Sequence, residues 1–221
     1  MVSNGATDPA RIRSMFGAIA RRYDRANTVL SAGTHHLWRR RTVRRSGVRA
    51  GDKVLDCATG TGDLAIRFRK AGANVVGIDF TPEMIELARA KEPSIPFEVG
   101  DVTALRFADK SFDIASIAFG IRNVADPAKG IAEMARVARK VVILEFGQPH
   151  GLFALYHQHV LPRLGGMVTG NRDAYRYLRS STAQFPSGAE FVELMRRSAP
   201  FGKIEFEALS FGIAWLYIGV S

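Results

Sequence analysis

A turn with two glycines lies between two carboxylates in the first third of the chain. An apolar pair leads into Asp56, the turn contains Gly60 and Gly62, and Asp63 opens a second apolar run. Because glycine lacks a Cβ and tolerates positive φ, a ligand can lie against bare backbone at such a turn. The spacing from Gly60 to Ala65 also fits a dinucleotide fingerprint. The stretch therefore predicts a strand, a ligand-binding loop and the start of a helix.

The charge near this loop distinguishes between the ligands that its spacing allows. A pyrophosphate favours amide donors without a neighbouring anion, whereas Asp56 and Asp63 flank the loop. S-adenosylmethionine carries an ammonium and a sulfonium, and both cations suit two carboxylates. The charge pattern therefore favours S-adenosylmethionine over the nicotinamide cofactor of an oxidoreductase. A strand, turn and helix without any ligand is the simplest alternative.

The elements that position this loop alternate between strand and helix patterns. Apolar runs predict strands at 54–56, 74–79, 95–99, 111–119, 141–145, 205–209 and 213–220. Helices are predicted after the N-caps Thr81 and Asp126. A further helix is predicted after a capping box formed by Ser187 and Glu190. We therefore expect a doubly wound, Rossmann-like α/β fold with a seven-stranded, mostly parallel sheet and an antiparallel strand in the C-terminal hairpin.

Two segments lie outside this alternation. In the first, apolar residues at helical spacing predict helices at about 12–23 and 37–48, joined by a linker at 27–36. In the second, prolines, glycines and aromatic residues interrupt the pattern. We expect one domain over residues 1–221, with 1–50 as an N-terminal helical cap and 147–180 as an insertion that covers the substrate.

Polar residues follow four of the predicted strands. Asp56 and the glycine loop follow the first strand, and Asp79 ends the second. Asp101 follows the third strand, and the segment 119–123 follows the fourth. Ligands of doubly wound sheets bind at the carboxyl ends of the strands, where an acid about 20 residues after the glycines holds ribose hydroxyls. Asp79 lies 17 residues after Gly62, so the strand ends predict one nucleoside-binding rim.

Positive charge is concentrated at the start of the chain. The net charge is +10, and residues 1–50 contain eleven arginines against two acidic residues, a local excess of +9. Such a segment is typical of a solvated surface, a nucleic-acid contact or an anionic membrane contact. No apolar run approaches the length of about 20 residues that crosses a bilayer, and one cysteine excludes an intrachain disulfide. No spacing indicates a metal site, and a cytoplasmic protein is expected.

Three blocks of residues carry a more specific signal. They are Met15-Phe16-x-x-Ile19-Ala20-x-x-Tyr23-Asp24-x-x-Asn27, Phe119-Gly120-Ile121-Arg122-Asn123-Val124-x-Asp126 with Leu144-Glu145-Phe146 after it, and His159-Val160-Leu161-Pro162-Arg163 with Tyr175-Arg176-Tyr177-Leu178 after it. Together with the acids at the strand ends, these blocks resemble the ubiquinone/menaquinone-biosynthesis C-methyltransferases, which are class I S-adenosylmethionine-dependent enzymes. The resemblance covers residues 12–215, in order. It implies C-methylation of a prenylated quinol ring, with demethylmenaquinol as the expected substrate.

The resemblance also implies residues for the cofactor, S-adenosylmethionine. The expected cofactor-binding residues are Asp56, Gly60, Thr61, Gly62, Asp79, Asp101, Val102 and Ala118. Asp79 is expected to accept from the ribose hydroxyls and Asp101 from the adenine amino group, while the Val102 amide donates to the adenine ring. The backbone of the glycine loop is expected to hold the methionine part. Ala118 stands where family members commonly have serine, so we expect a hydroxyl contact to be missing there.

Methylation of a ring carbon requires that a quinol hydroxyl lose its proton and that the oxyanion be stabilised. Arg122 is the first candidate, as a cation or by orienting a water, and Asn123 is expected to orient the same oxygen. Tyr23 and Asp24 come next, because the N-terminal segment is expected to fold over the site. The alternatives are a salt bridge from Arg122 to Asp126 and a packing role for Tyr23. Three histidines are further candidate bases: His35, His157 and His159.

The implied substrate also bears on the arginine-rich segment. A prenylated quinol lies in a bilayer, so a chain without a membrane span has to reach it from the surface. We therefore expect peripheral contact with an anionic membrane, on its inner face. The alternative is a class I methyltransferase that acts on RNA or on another small aromatic compound. No nucleic-acid partner is expected, because the apolar 147–180 insertion suits a prenyl tail better than a flipped base.

Overall fold

The structure is a computed structural model that describes residues 9–31, 33–148, 151 and 172–221. Its strands are Lys53–Cys57 (β1), Asn74–Asp79 (β2), Phe97–Val99 (β3), Phe112–Ala118 (β4), Ala138–Phe146 (β5), Lys203–Leu209 (β6) and Ala214–Val220 (β7). Its helices include Pro9–Leu30 (α1), Thr34–Ser46 (α2), Asp63–Lys70 (α3), Pro82–Lys91 (α4), Pro127–Val137 (α5), Arg172–Gln184 (α6) and Ala189–Ser198 (α7). A 3₁₀ turn, Ile121–Asn123, lies between β4 and α5.

The seven described strands form one sheet, in the order β3-β2-β1-β4-β5-β7-β6. The first five strands pair in parallel, whereas β7 runs antiparallel to both β5 and β6. The register places Asp56 beside Gly77 of β2 and Ser116 of β4. The carboxyl ends of β1, β2 and β4 therefore meet at one rim. The predicted α/β fold, mostly parallel with an antiparallel strand in the C-terminal hairpin, is confirmed.

Apolar residues cover both faces of the sheet. On one face, Leu55 of β1 belongs to a buried cluster with Ile131 of α5. On the other face, the neighbouring Val54 clusters with Phe68 of α3. Successive residues of a strand point to opposite faces, so a strand that is covered on both sides appears in the sequence as a continuous apolar run. The run 141–144 of β5, which is fully buried, is such a case.

The N-terminal segment consists of two helices whose short connection lies between Leu30 and Thr34, so the linker predicted at 27–36 is in the right place but too long. The Ser31 amide and hydroxyl both donate to the Asn27 carbonyl, at 3.0 and 2.7 Å, which extends the helical turn beyond the polar residues. Gly33 has a φ of 74°, a conformation that glycine adopts without strain, and α2 begins at the next residue. Polar side chains thus complete the end of α1 rather than forming a loop.

The helix starts agree with the sequence in part. Asp126 is the N-cap of α5, and its carboxylate accepts from a first-turn amide at 3.0 Å, as predicted. The capping box predicted from Ser187 and Glu190 is wrong, because the N-cap of α7 is Gly188. Ser187 Oγ accepts instead from the Gln148 amide at 3.4 Å. The serine therefore stands one residue too early to cap the helix.

The last two strands form the predicted hairpin. Its turn, residues 210–212, has positive φ at all three positions, with values of 47°, 58° and 84°. The insertion predicted at 147–180 is described only in part: residues 172–180 belong to α6, whereas 149, 150 and 152–171 lie outside the described residues.

Candidate active site

A cavity lies at the carboxyl ends of β1, β2 and β4, where the polar strand ends meet. About 810 Å³ of empty space lies between its walls and in its open mouth. Its walls are formed by Phe16, Ala58, Gly60, Asp79, Phe80, Thr81, Met84, Gly100, Asp101, Val102, Thr103, Ala118, Phe119, Gly120, Asn123, Val124 and Ala125. The predicted site residues that it brings together are Gly60, Asp79, Asp101, Val102, Ala118 and Asn123.

Asp79, the last residue of β2, joins the glycine loop to α4. Its Oδ2 accepts from the Gly60 amide and its Oδ1 from the Thr81 amide, both at 2.9 Å. The residue is 6% exposed, and burial raises the pKa of its carboxyl while these hydrogen bonds oppose the rise. Because each carboxylate oxygen can accept more than one hydrogen bond, Asp79 can hold the loop and still accept from a ligand.

Asp101 and Val102 follow β3 and form another part of the wall. Asp101 is exposed, and its Oδ1 accepts from the Thr103 amide at 2.8 Å and from Thr103 Oγ1 at 2.9 Å. These two bonds fix the turn after the strand. An accessible carboxylate and a neighbouring backbone amide are therefore held side by side at this end of the cavity.

Asp56 and Gly62 do not line the cavity; they shape the loop from behind. The two carboxylate oxygens of Asp56 accept from Thr59 Oγ1 at 2.6 Å and from Ser116 Oγ at 2.7 Å. Burial raises the pKa of Asp56 to about 6, although both bonds lower it. Gly62 has a φ of 84°, and a Cβ there would lie 2.8 Å from the Phe97 ring. The geometry thus gives these two residues structural roles in the loop.

The Thr61 side chain is directed toward α1 rather than lining the cavity. Its Oγ1 donates to Asp24 Oδ1 at 2.6 Å. The Lys91 ammonium lies 2.7 Å from Asp24 Oδ2 and 2.6 Å from Asp63 Oδ1. Lys91 of α4 therefore ties α1 to the first residue of α3. Because Phe16 of α1 lines the cavity, this network fixes one of its walls, and Thr61 and Asp24 act there by positioning.

Arg122 is buried behind the wall, in the 3₁₀ turn after β4. Its Nη1 donates to Glu145 Oε1 at 2.6 Å and to the Phe119 carbonyl at 2.7 Å. The ion pair is therefore made with Glu145 and not with the alternative partner Asp126, which caps α5. Arg122 does not line the cavity; its guanidinium lies behind the wall, paired with Glu145.

Asn123, the neighbour of Arg122, lines the cavity. Its Oδ1 accepts from the Tyr177 hydroxyl of α6 at 3.0 Å, which brings the C-terminal part of the predicted insertion to the site. Tyr23 lies in α1, but its side chain is outside the described residues, as are His157 and His159. Among the predicted catalytic residues whose side chains are described, Asn123 is thus the one that lines the cavity.

Some residues of the site were not predicted. Phe80 and Met84 line the cavity. Their signal in the sequence is that Phe80 directly follows Asp79, the acid that ends β2, and that Met84 lies in the first turns of α4. Phe16 occupies the apolar face predicted for the first helix, but that pattern does not distinguish a cavity wall from a core position. Glu145, which pairs with Arg122, is marked by its place at the polar end of the apolar run of β5.

Two further features bear on chemistry and on membranes. Among the residues with described positions, no group of three or more His, Cys, Asp and Glu side chains is placed to hold a metal ion. In the same part of the chain, no helix combines the length and the apolar character that crossing a bilayer requires.

Known proteins are similar to this sequence over nearly its whole length. Residues 5–221 match the ubiE/COQ5 methyltransferase family. The ubiquinone/menaquinone biosynthesis C-methyltransferase UbiE of Bdellovibrio bacteriovorus is 51% identical, over 99% of this chain and 99% of the relative. The demethylmenaquinone methyltransferase of Deinococcus radiodurans is 44% identical, over 94% of this chain and 91% of the relative. That of Thermus thermophilus is also 44% identical, over 93% and 99%.

Solved structures share the fold at much lower identity. The magnesium protoporphyrin IX methyltransferase of Synechocystis, with bound SAH, has a TM-score of 0.69 and 18% identity, over 96% of this chain and 99% of that chain. A SAM-dependent methyltransferase of Aquifex aeolicus has a TM-score of 0.62 and 16% identity, over 89% and 96%. These likenesses support the fold. Because the family match covers residues 5–221 and relatives reach 51% identity, the chain belongs to the ubiE/COQ5 methyltransferase family.

Proposed function

We propose that the chain transfers a methyl group from S-adenosylmethionine to a ring carbon of a prenylated quinol, converting demethylmenaquinol to menaquinol. The observation that carries this proposal is the cavity at the carboxyl ends of β1, β2 and β4, with Asp79 and Asp101 in its walls, in a chain of the ubiE/COQ5 methyltransferase family. The names of the relatives, which refer to menaquinone and ubiquinone biosynthesis, support the substrate class.

The residues around the cavity fit this methyl donor. A Cβ built on Gly60 meets no atom within 4 Å, so the loop presents bare backbone to the ligand. Asp79 is proposed to accept from the ribose hydroxyls, Asp101 from the adenine amino group, and the Val102 amide to donate to the adenine ring. Ala118 leaves an apolar wall where a hydroxyl contact is expected in relatives. When bound, the donor supplies an electrophilic methyl group on a cationic sulfonium.

The protein's part in the reaction is to orient the quinol and to stabilise the oxyanion that forms when its hydroxyl loses a proton. The Oδ1 of Asn123 accepts from Tyr177, and its Nδ2 donates to the Phe119 carbonyl at 3.5 Å. The second N–H of this amide is proposed to donate to the quinol oxygen. Arg122 lies directly behind, and its charge is proposed to stabilise the same oxygen. Tyr23 and Asp24 are proposed to complete the site from α1, with Asp24 acting through its bond to Thr61.

The same proposal extends to the arrangement of the chain and its place in the cell. We propose a single domain over residues 1–221, with 1–50 as the cap and 147–180 as the cover over the prenyl tail; the contact of Phe16 with the cavity supports the cap. A cytoplasmic enzyme would then meet the quinol at the inner face of an anionic membrane. The exposed arginines of the cap that support such a contact are Arg13, Arg40, Arg44 and Arg49.

The test combines binding and turnover. Calorimetry with S-adenosylhomocysteine, NAD and RNA is expected to detect binding of S-adenosylhomocysteine alone. In an assay with methyl-labelled S-adenosylmethionine, label is expected in demethylmenaquinol, with the ubiquinone-pathway quinol and bulk RNA as parallel acceptors. Label in RNA and in neither quinol, or failure to bind S-adenosylhomocysteine, would overturn the proposal.

A further inference from the structure

Arg39 of α2 carries a buried guanidinium that the site described above does not use. The residue is 6% exposed. Its Nε and Nη1 are buried and have no hydrogen-bond acceptor among the residues that the structure describes. Its ion pair with Asp63 is long, at 3.9 Å from Nη2 to Oδ2. A guanidinium is always charged and offers five N–H donors. Most of the donors of this buried cation therefore have no acceptor among the described residues.

This guanidinium lies beside the cavity, at the end formed by the glycine loop. It stands 5.5 Å from the centre of the Phe119 ring, and Phe119 is a wall residue of the cavity. Asp63 is the first residue after the glycine loop. The neighbouring Trp38 fixes α2 here, because its ring lies 6.0 Å from that of Phe119 and its Nε1 donates to Ser210 Oγ at 2.9 Å.

The charges around the cavity provide no partner for the carboxylate of the proposed methyl donor. Its described wall contains two carboxylates, Asp79 and Asp101, and no lysine or arginine. The methyl donor of the proposed function carries a carboxylate on its amino-acid portion, and burial of an anion requires a cation or hydrogen-bond donors. The nearby Lys91 is already held by two carboxylates, at 2.7 and 2.6 Å. Arg122 is held by Glu145 and by a backbone carbonyl.

We propose that Arg39 binds the α-carboxylate of the donor's amino-acid portion, an inference that rests on the proposed function. The glycine loop holds the same portion from one side, and the guanidinium supplies charge-assisted donors from α2. The neighbouring His35 adds no second positive charge beside Arg39, because burial lowers the pKa of His35 to about 4 and leaves that ring uncharged at neutral pH.

The test compares two ligands that differ only in the carboxylate, S-adenosylmethionine and its decarboxylated form, by calorimetry. The unaltered protein is expected to bind S-adenosylmethionine roughly 10- to 100-fold more tightly, the ratio that loss of one charge-assisted hydrogen bond gives. Arg39→Gln is expected to abolish this preference and to leave the affinity for the decarboxylated ligand nearly unchanged. Arg40→Gln, a matched change at an exposed position of the same helix, is expected to keep the preference.

Other outcomes separate this proposal from the function on which it rests. If Arg39→Gln weakens both ligands by the same factor, Arg39 has a structural role and the proposal is wrong while the proposed function stands. If the unaltered protein binds neither ligand, the proposed function fails as well. If Arg39→Gln does not fold, as judged by thermal unfolding, Arg39→Lys is measured instead. The preference of Arg39→Lys for S-adenosylmethionine over the decarboxylated ligand is expected to be smaller than that of the unaltered protein but still present. A ratio of the two affinities equal to that of the unaltered protein would contradict the proposal.

Discussion

The guanidinium of Arg122 and the carboxylate of Glu145 form an ion pair inside the protein, with 2.6 Å between Nη1 and Oε1. The two side chains are only 6% and 2% exposed. Glu145 Oε1 also accepts from the Phe146 amide at 2.8 Å. The pair therefore ties the 3₁₀ turn that carries Asn123 to the carboxyl end of β5, and it fixes both the geometry and the charge of one side of the cavity.

Arg122→Ala is expected to lower kcat with little change in the Kd of S-adenosylhomocysteine. Because Arg122 lies behind the cavity wall and acts through its charge, the loss is expected to be smaller than the roughly 100-fold that follows removal of a direct oxyanion donor. Removal of one partner of a buried pair also costs about 3–5 kcal/mol of stability, so turnover has to be measured below the unfolding transition. Glu145→Gln is the control, because it loosens the same pair and keeps the cation. Equal losses of turnover and of cofactor affinity in Arg122→Ala would make Arg122 purely structural.

Asp79→Ala is expected to weaken the binding of S-adenosylhomocysteine strongly. The ribose hydroxyls lose a charged acceptor, and each such bond contributes about 1.5–3 kcal/mol. The Gly60 amide loses its acceptor as well. Calorimetry measures the effect, with Glu86→Ala as a control for loss of an exposed carboxylate from the adjacent helix. Unchanged affinity in Asp79→Ala would show that the cofactor binds elsewhere.

Asp56→Asn is expected to change how stability depends on pH. Burial raises the pKa of Asp56 from 3.8 to about 6, so between these values the folded protein keeps a proton that the unfolded chain loses. The stabilising contribution is complete below pH 3.8 and is lost as the pH rises through about 6. The unfolding free energy of the unaltered protein, relative to Asp56→Asn, should therefore fall by about 3 kcal/mol over this window. Urea titrations across the window measure this difference, and a difference that is constant with pH would refute the assignment.

Vesicle co-sedimentation tests the proposed membrane contact. At low salt the protein is expected to bind anionic vesicles and not neutral ones, because each basic residue near an anionic surface contributes about 1 kcal/mol. Binding is expected to be lost at high salt, which shortens the range of the interaction to a few ångströms. Equal recovery with both kinds of vesicle at low salt would leave the arginines as a solvated surface.

The sequence was sufficient to predict the fold and the position of the rim of the site. Asp79 and Asp101 could be placed because each follows an apolar run, and parallel strands bring their carboxyl ends together. The direction of Thr61 could not be predicted, because its partner Asp24 lies in a separate helix 37 residues earlier.

Ion pairs between distant elements could likewise not be predicted from the sequence. The nearby Asp126 was the natural alternative partner for Arg122, whereas the pair is made with Glu145 on another strand. Part of the excess positive charge near the start of the chain is also neutralised across the fold, since Arg41 lies 2.7 Å from Glu207 and Arg45 3.2 Å from Glu205. A local sequence pattern shows how many charged residues a segment contains, but it does not show which residue each of them pairs with.

The position of β7 between β5 and β6 constrains how the protein is made on the ribosome. β6 pairs only with β7 in the described sheet, so it has no strand partner when it leaves the exit tunnel. Until residues 214–220 have emerged, the edge of β5 stays open beside its fully buried apolar run. An open apolar edge invites pairing with other chains. A pause in translation before these last strands would therefore expose a nascent chain whose cofactor rim is already assembled but whose sheet is still able to aggregate.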